Sequence, residues 1–304
     1  MTVSGSGVRR VFVLPHLTNE ASHAVTATAI TGLQAAGVAV RMFAADAERL
    51  DPVRVERVDE RLGSEGCELV AIFGGDGTIL RGAELARGHG TPLLGVNLGH
   101  VGFLAERESD EVDAAVKAIV AHEYAVEERM AIDIKVSGPA GAASSGWALN
   151  EASVEKAGRD RMLDVVVAID QRPLSRWGCD GVLCATPTGS TAYAWSAGGP
   201  VVWPDVEALV VVPSNAHALF ARPLVISPES AVGVEVLPRS PAAEVWCDGR
   251  RMLAAGPGSY VEIRRSAEPV RLARIHPGSF TDRLVAKFQL PVKGWRGPID
   301  GGIR

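Results

Sequence analysis

The stretch "AIFGGDGTILRGA", residues 71–83, carries the chain from an apolar run into two glycines, an aspartate, a third glycine and a threonine. A short apolar run that ends in glycines is typical of a buried strand followed by a tight turn. The spacing after the turn predicts a helix that begins near Thr78. The stretch therefore predicts a strand–turn–helix unit with one carboxylate, that of Asp76, at its tip.

Similar units on either side extend this pattern into a sheet. Between Val8 and about Glu123, short apolar runs such as "VRRVFVLP" and "PLLGVNLG" alternate with helical stretches such as "NEASHAVTATAITGLQAAG". Alternating strands and helices predict a parallel, doubly wound α/β sheet. Ligands of such sheets bind beyond the carboxyl ends of the strands, so "GGDGT" and "NLGHVGF" both fall where a binding crevice is expected.

The pattern changes after about residue 125. Runs such as "MAIDIKV", "VGVEVL" and "YVEIRR" alternate apolar and polar residues with a period of two, which is the pattern of half-buried strands. They predict an all-β second domain. The segment "FTDRLVAKFQLPVKGWRG" has helical spacing again, and we expect it to return to the first domain.

Composition limits the class of protein. The chain has 304 residues, of which 47% are hydrophobic and 22% are charged, enough for a large core and two domains. No apolar run is long enough to cross a membrane and the N-terminus lacks the order of a signal peptide, so we expect a cytoplasmic protein with no membrane partner. A net charge of −5 argues against a nucleic-acid partner but allows an anionic small molecule.

Cysteine and histidine spacing indicates no metal site built from side chains. The four cysteines have no C-x-x-C pair and the histidines show no ligand spacing. We therefore expect neither a disulfide framework nor a transition metal bound by the protein.

The glycine turn has the ingredients of a phosphate site, although it matches neither common phosphate motif. A P-loop requires a lysine that is absent here, and the dinucleotide fingerprint requires glycine where Leu80 stands. Glycines still let the backbone approach an anion, and the following helix presents N–H groups and a positive dipole end. The predicted phosphate-binding residues are Gly74, Gly75, Gly77 and Thr78, of which Thr78 caps the helix or binds phosphate.

Asp76 adds a chemical group to this turn. A carboxylate beside phosphates is repulsive unless it binds Mg²⁺ or accepts a proton from an attacking hydroxyl, so the pairing indicates phosphoryl transfer. The alternative is an Asp-Gly turn whose side chain only satisfies backbone N–H groups. Arg81, on the same helix, either screens phosphate charge or is a solvated helix residue.

Two further stretches have the character of a nucleoside site. "CDGVLCATPTGSTAYAWSAGGP", residues 179–200, is rich in small hydroxyl residues and glycine, and Tyr193 offers a ring on which a base could stack. In "ALNEAS", the amide of Asn150 and the carboxyl of Glu151 can grip the paired hydroxyls of a ribose. The alternatives are an ordinary turn at each place, with Trp195 in the core.

In this order and over nearly the whole chain, the motifs "GGDGT", "NLGHVGF", "NE", "TPTGSTAY" and "WCDGR" closely resemble those of bacterial NAD kinases, particularly the actinobacterial branch. The resemblance implies transfer of the γ-phosphoryl group of ATP, or of a phosphoryl group of inorganic polyphosphate, to the adenosine ribose 2′-hydroxyl of NAD. It also implies a Mg²⁺ requirement and a homodimer or homotetramer.

The resemblance implies a fold as well. The N-terminal part would be the doubly wound parallel α/β domain, and the C-terminal part a β-sandwich-like domain. The expected domains are residues 1–125, joined by a returning segment 278–304, and residues 126–277.

Matching residue types imply roles for individual positions. Asp76 matches the aspartate that accepts the proton of the 2′-hydroxyl, and Gly77 gives close backbone approach. Asn150 and Glu151 match the pair that contacts adenosine. The other positions implied to bind NAD are Arg81, Phe103, Arg161, Asp180, Thr191, Ala192, Tyr193, Ser196 and Arg250.

Within that set, Thr191, Ala192 and Tyr193 match the residues around adenine, and Asp180 and Ser196 match those on the nicotinamide side.

One position departs from the family pattern. Gly178 stands where many relatives carry a basic side chain two residues before Asp180. We expect Arg159, Arg161 or Arg222 to replace that charge, or the affinity for the ligand to change.

Two other functions use part of the same pattern. A lipid or sugar kinase could share "GGDGT", although the polar "TPTGSTAY" wall suits no acyl chain. A dinucleotide-binding regulator without catalytic activity would use Asp76 only as a turn residue.

Overall fold

The computed structural model describes residues 8–18, 20–50, 54–59, 62–97, 111–139, 141–159, 161–275 and 278–292. The chain divides into two compact units, one of Met1–Glu127 with Arg271–Arg304 and the other of Glu128–Val270.

Nineteen strands and six α-helices lie within the described ranges. In chain order the strands are β1 Arg10–Pro15, β2 Ala39–Phe43, β3 Glu56–Val58, β4 Leu69–Phe73, β5 Leu93–Val96, β6 Ala125–Arg129, β7 Ile132–Ser137, β8 Ala143–Ala148, β9 Glu151–Lys156, β10 Leu163–Ile169, β11 Arg172–Cys179, β12 Gly181–Ala185, β13 Leu209–Ser214, β14 Leu224–Ile226, β15 Val232–Val236, β16 Ala243–Cys247, β17 Arg251–Ala255, β18 Tyr260–Arg265 and β19 Val270–Arg274. The helices are α1 Glu20–Ala35, α2 Ala44–Glu48, α3 Asp76–Ala86, α4 Glu111–Ala121, α5 Tyr193–Ser196 and α6 Phe280–Phe288, and a 3₁₀ turn spans Thr188–Thr191.

The first unit is built on a sheet of seven strands in the order β3-β2-β1-β4-β5-β19-β6. The pairs β2–β3, β1–β2, β1–β4, β4–β5 and β5–β19 are parallel. Helices α1, α3 and α4 connect or follow its strands, as the alternating sequence pattern requires. The predicted parallel α/β domain is confirmed.

Strand β4 lies at the centre of this sheet, with β1 on one side and β5 on the other. All five of its side chains are fully buried. Parallel strands covered on both faces carry continuous apolar runs, which explains the sequence "LVAIF". Because β4 is buried along its whole length, polar residues of this part of the chain can lie only after the strand ends.

The second unit consists of two antiparallel sheets of six strands each, in the orders β11-β10-β15-β18-β7-β8 and β14-β13-β12-β9-β16-β17. Inward-facing side chains of both sheets form one hydrophobic core, which includes Ile134, Val165 and Trp177 from the first sheet and Val154 and Val245 from the second. Two antiparallel sheets that share a core form a sandwich. The predicted β-rich second domain is confirmed.

The end of the chain contributes more than the helix that the sequence indicates. Strand β19 pairs with β5, so the first unit resumes at Arg271, before the return expected at residue 278. Helix α6 follows, and the hydroxyl of Ser279 caps it by accepting a hydrogen bond from the N–H of Thr281 at 3.2 Å. Residues 293–304 of the expected returning segment lie outside the described residues.

None of the helices that the structure describes is long and apolar enough to span a membrane.

We expect Phe73→Ala to lower the free energy of unfolding by about 3–5 kcal/mol, because it empties a large, fully buried position at the end of β4. The matched control is Val225→Ala on β14, where the side chain is 55% exposed and the change should be within about 0.5 kcal/mol. Denaturant unfolding measures both. Equal effects of the two substitutions would contradict the placement of β4 in the core.

Candidate active site

The glycine turn follows β4 directly and ends where α3 begins. Gly75 has an extended backbone, with φ −87° and ψ −172°, and caps the helix without a side-chain hydrogen bond. Its carbonyl accepts hydrogen bonds from the N–H groups of Thr78 at 2.9 Å and Ile79 at 3.2 Å. The prediction that the helix begins near Thr78 is therefore wrong: it begins at Asp76, because the Gly75 carbonyl already starts the helical hydrogen bonds. Thr78 lies in the first turn and does not cap the helix.

The three glycines of the turn have different steric surroundings. A Cβ on Gly74 would lie 2.5 Å from Oγ1 of Thr78 and 2.9 Å from Cβ of His16, so this position requires glycine for packing. A Cβ on Gly75 or Gly77 would meet no atom within 4 Å. The open space beside Gly75 and Gly77 leaves room for a ligand at the start of α3. The first N–H groups of a helix are not used within the helix and carry partial positive charge, which suits an anion.

Asp76 is the first residue of α3, and its side chain is half-buried. A carboxylate in the first turn of a helix is stabilised by the helix dipole. The structure therefore presents a carboxylate and the helix N-terminus at the same place.

Arg81 packs within the first unit. Its guanidinium carbon lies 5.1 Å from the ring centre of Phe43, and its Nη1 lies 4.0 Å from Oδ2 of Asp46. The side chain is 37% exposed, so these contacts leave part of the charge accessible. Phe103, predicted to border the ligand, lies outside the described residues.

In the second unit, Asn150 and Glu151 stand at the start of β9 in a backbone turn that is bonded on both sides. The carboxylate of Asp248 accepts hydrogen bonds from the N–H groups of Leu149 at 3.0 Å and Asn150 at 2.6 Å. From the other side, the N–H of Thr186 donates to the carbonyl of Asn150 at 2.9 Å. These bonds fix the backbone from which the Asn150 and Glu151 side chains extend.

Glycine is also required beside this turn. A Cβ on Gly189 would lie 2.0 Å from the carbonyl oxygen of Asn150, which is a backbone atom and cannot rotate away. The "TPTG" part of the long polar stretch therefore packs directly on the backbone of the "NE" pair.

Asp248 is the functional candidate that the sequence reasoning missed. It lies with Gly249 in the tight turn between β16 and β17, where the two residues have φ values of 54° and 63°. An Asp-Gly pair with two positive φ values is typical of a hairpin turn, so the sequence did carry a signal for the turn. It carried none for the contact with Asn150, which is 98 residues away. Arg250, predicted from the same motif to bind the ligand, is exposed.

Arg251 completes the surroundings of Asp248. Its Nη2 donates to Oδ2 of Asp248 at 2.8 Å, and its guanidinium carbon lies 4.4 Å from the ring centre of Trp147. The cation is thus held in place by a carboxylate and an aromatic ring.

The carboxyl of Glu151 has an unusual environment. The residue is only 6% exposed, and its Oε2 has no hydrogen-bond partner among the described residues. Burial, and next the negative charge of Asp248, raise the pKa of Glu151 to about 8, against the lowering effect of the Tyr193 N–H. Burial also raises the pKa of Asp248, against the backbone N–H groups of Leu149 and Asn150. Glu151 is therefore the carboxyl that holds a proton near neutral pH.

The polar stretch around Tyr193 forms a short surface segment. The 3₁₀ turn and α5 are anchored by Ala194, which is fully buried against the outer face of the second sheet. Tyr193 is 40% exposed and Trp195 is 45% exposed, so the alternative that placed Trp195 in the core is wrong. The predicted ligand residues Thr191 and Ala192 are half-buried, and Ser196 is exposed.

Asp180 lies directly before β12 and is ionised in this environment. Nζ of Lys156 donates to Oδ1 at 2.5 Å, and Nδ2 of Asn215 donates to Oδ2 at 2.9 Å. These bonds, first that of Lys156 and then that of Asn215, lower the pKa of Asp180. Asp180 and Glu151 both lie within electrostatic reach of the phenol of Tyr193, so the structure brings these three predicted residues into one area.

The position of Gly178 has room for a side chain. A Cβ there would meet only Cε of Met162, at 3.6 Å. Arg159, Arg161 and Arg222 are exposed, and whether one of them replaces the missing basic side chain stays a prediction.

We expect Gly189→Ala to lower the free energy of unfolding by about 1–3 kcal/mol, because the added Cβ overlaps the Asn150 carbonyl. Gly158→Ala is the matched control, since a Cβ there meets nothing within 4 Å, and should change stability by less than about 0.5 kcal/mol. Thermal unfolding compares the two. A Gly189→Ala protein as stable as the control would show that this close approach is not required.

Family models give the first comparison with known proteins. The models described as the ATP-NAD kinase N-terminal domain and the ATP-NAD kinase C-terminal domain match residues 11–124 and 149–275.

Curated relatives extend the similarity over nearly the whole chain. It is 56% identical over 293 residues to NAD kinase 2 of Streptomyces coelicolor, with 95% of this chain and 97% of that protein covered. It is 54% identical over 300 residues to the NAD kinase of Thermobifida fusca, with 95% and 92% covered. For the NAD kinase of Mycobacterium tuberculosis the identity is 54% over 256 residues, with 84% and 83% covered.

Solved structures show the same fold. A yeast NADH kinase complexed with NADH superposes with a TM-score of 0.85 at 21% identity, covering 94% of this chain and 89% of that one. An NAD kinase from Archaeoglobus fulgidus in complex with ATP gives a TM-score of 0.69 at 28% identity, covering 92% and 98%. The matches confirm the resemblance drawn from the motifs: the chain belongs to the NAD kinase family, whose members transfer a phosphoryl group to NAD.

Proposed function

We propose that this chain transfers the γ-phosphoryl group of ATP, or a phosphoryl group of inorganic polyphosphate, to the 2′-hydroxyl of the adenosine ribose of NAD, giving NADP. The observation that carries this proposal is the carboxylate of Asp76 at the first position of α3, between two glycines whose Cα atoms face open space. A similar protein at 28% identity was solved in complex with ATP, which supports ATP as a donor.

The start of α3 supplies the chemistry. Gly74, Gly75, Gly77 and Thr78 shape the site for the donor phosphates, and the helix dipole favours their negative charge. Asp76 accepts the proton of the 2′-hydroxyl while the oxygen of that hydroxyl forms the new bond to phosphorus. The bond to the leaving phosphate breaks, and its electron pair leaves with ADP or the shortened polyphosphate.

Arg81 adds positive charge to the same helix, and its contacts with Phe43 and Asp46 hold it in place.

The first unit fits Mg²⁺ that is held chiefly by the donor phosphates. Mg²⁺ usually binds through one or two carboxylates and substrate phosphates and keeps several waters. In the part of the chain that the structure describes, no three His, Cys, Asp or Glu side chains form a metal cluster, whereas Asp76 stands beside the open glycines. When bound to the donor, Mg²⁺ neutralises charge that develops on the phosphate oxygens.

The second unit supplies recognition of the dinucleotide. Asn150 and Glu151 grip adenosine, and Thr191, Ala192 and Tyr193 surround its base, with the exposed Tyr193 ring available for stacking.

Five further residues complete the proposed NAD contacts. Asp180 and Ser196 contact the nicotinamide side, where an ionised Asp180 suits the cationic ring of NAD. Arg161 and Arg250 are exposed charges that suit the dinucleotide phosphates. The family resemblance implies that Phe103, which lies outside the described residues, also contacts the bound nucleotide.

We also propose that the protein is a cytoplasmic homodimer or homotetramer whose partners are NAD and the phosphoryl donor. The net charge of −5 and the family resemblance support a protein without a nucleic-acid or membrane partner.

The experiment that tests this function is NADP formation from NAD, with ATP or polyphosphate as donor in the presence of Mg²⁺. Parallel reactions offer diacylglycerol and hexose phosphate as acceptors. Formation of NADP supports the proposal. Phosphorylation of the lipid or sugar instead would contradict it and favour a different kinase. NAD binding without any phosphorylated product would also contradict it and favour a regulator without catalytic activity.

We expect Asp76→Asn to lower kcat by about 10²- to 10⁴-fold while NAD binding persists, because the amide keeps the shape of the turn but cannot accept the proton. Asp282→Asn is the matched control, since Asp282 also lies in the first turn of an α-helix, that of α6. Steady-state kinetics and NAD titration measure both variants. Near-normal turnover by Asp76→Asn would contradict the role of Asp76 as the proton acceptor.

A further inference from the structure

The reaction leaves one well-built feature unused, the buried carboxylate of Asp248. It accepts two backbone N–H groups and the Arg251 guanidinium, and its own N–H donates to the carbonyl of Glu151 at 2.9 Å. Three of these four bonds go to the backbone of residues 149–151. The N–H bond to Glu151 continues the antiparallel pairing of β9 with β16, but the two carboxylate bonds to Leu149 and Asn150 do not belong to that pairing. These two bonds indicate that the Asp248 side chain holds the backbone of the "NE" pair.

We propose that Asp248 is a positioning residue for NAD: it fixes the backbone of Asn150 and Glu151, and its negative charge keeps Glu151 protonated so that the pair grips the nucleoside as a neutral group. This inference rests on the proposed function, because it assigns NAD as the ligand of that pair.

The charges around Glu151 support the protonated form. Burial raises its pKa most, and the charges of Asp248 in the β16–β17 turn and of Glu155, which lies with Glu151 on β9, raise it further. The phenol of Tyr193 on α5 is within electrostatic reach of Glu151, and the cation of this group is Arg251 on β17, which contacts Asp248. That cation is already bonded to Asp248 and stacked on Trp147, so an ionised Glu151 would be a second buried carboxylate without a cation of its own.

A neutral Glu151 also suits the ligand. NAD carries a negatively charged pyrophosphate, and a bound nucleoside removes water from a carboxyl that is already only 6% exposed. Both effects oppose ionisation of Glu151 in the complex. NAD should therefore bind the protonated form more tightly, and its affinity should fall as the pH rises through the pKa of about 8.

The two proposed roles of Asp248 can be separated by substitution. Asp248→Asn removes the charge, so it should lower the pKa of Glu151 and move the loss of NAD affinity to lower pH. Asp248→Glu keeps the charge but misplaces the acceptor, so it should weaken binding without moving the pH at which affinity falls. Glu151→Gln cannot ionise and should bind NAD equally well across the range.

The test is isothermal titration calorimetry of NAD binding to the full chain without a phosphoryl donor, from about pH 6 to about pH 9. The unmodified protein should lose up to about tenfold in affinity per pH unit above the pKa of Glu151. Asp248→Asn should bind about tenfold or more weakly, with its fall at lower pH. Glu235→Gln, a change at an exposed strand glutamate, is the control and should follow the unmodified protein.

Three results would overturn the inference: pH-independent binding by the unmodified protein, a fall that persists in Glu151→Gln, or weaker binding by Asp248→Asn with an unchanged pH profile. If Asp248→Asn does not fold, Asp248→Glu and Glu151→Gln still decide. Failure of the proposed function looks different, because the unmodified protein would then not bind NAD at any pH.

Discussion

A strand that is buried along its whole length can present chemistry only at its end, and β4 places that constraint on the first unit. Its five side chains are fully buried, and parallel neighbours lie on both sides. The chain must therefore leave the sheet through a turn, and glycine at position 74 is required because any Cβ would overlap Thr78. The same turn starts α3, so the helix N-terminus and Asp76 stand together as a consequence of packing.

In the second unit, two buried carboxyl groups lie close together at one end of the paired strands β9 and β16. Asp248 is compensated by two N–H groups and Arg251, whereas Glu151 has a backbone N–H and one oxygen without a partner. Burial penalises the charged form of both carboxyls, and hydrogen-bond donors offset that penalty. Because Asp248 has more donors than Glu151, Asp248 is the one that stays ionised. One of the two carboxyls can then act as an anchor and the other as a neutral ligand group.

Much of this arrangement could be predicted from local sequence patterns. Alternating strands and helices indicated the first unit, and the period of two indicated the second. Local patterns could not show that β19 joins the first sheet, because that pairing links residues 93 and 272. Nor could they show the contact between Asp248 and Asn150, which only the folded sandwich creates. The start of α3 was misplaced because a glycine, which has no side chain to signal a cap, occupies the N-cap position.

The most direct test of the central claim is ³¹P NMR of the product that the unmodified chain forms from NAD, ATP and Mg²⁺. The mechanism predicts a new phosphomonoester on the 2′-oxygen of the adenosine ribose, formed in equal amount with ADP. A phosphate on another hydroxyl, or ADP without a phosphorylated dinucleotide, would contradict it.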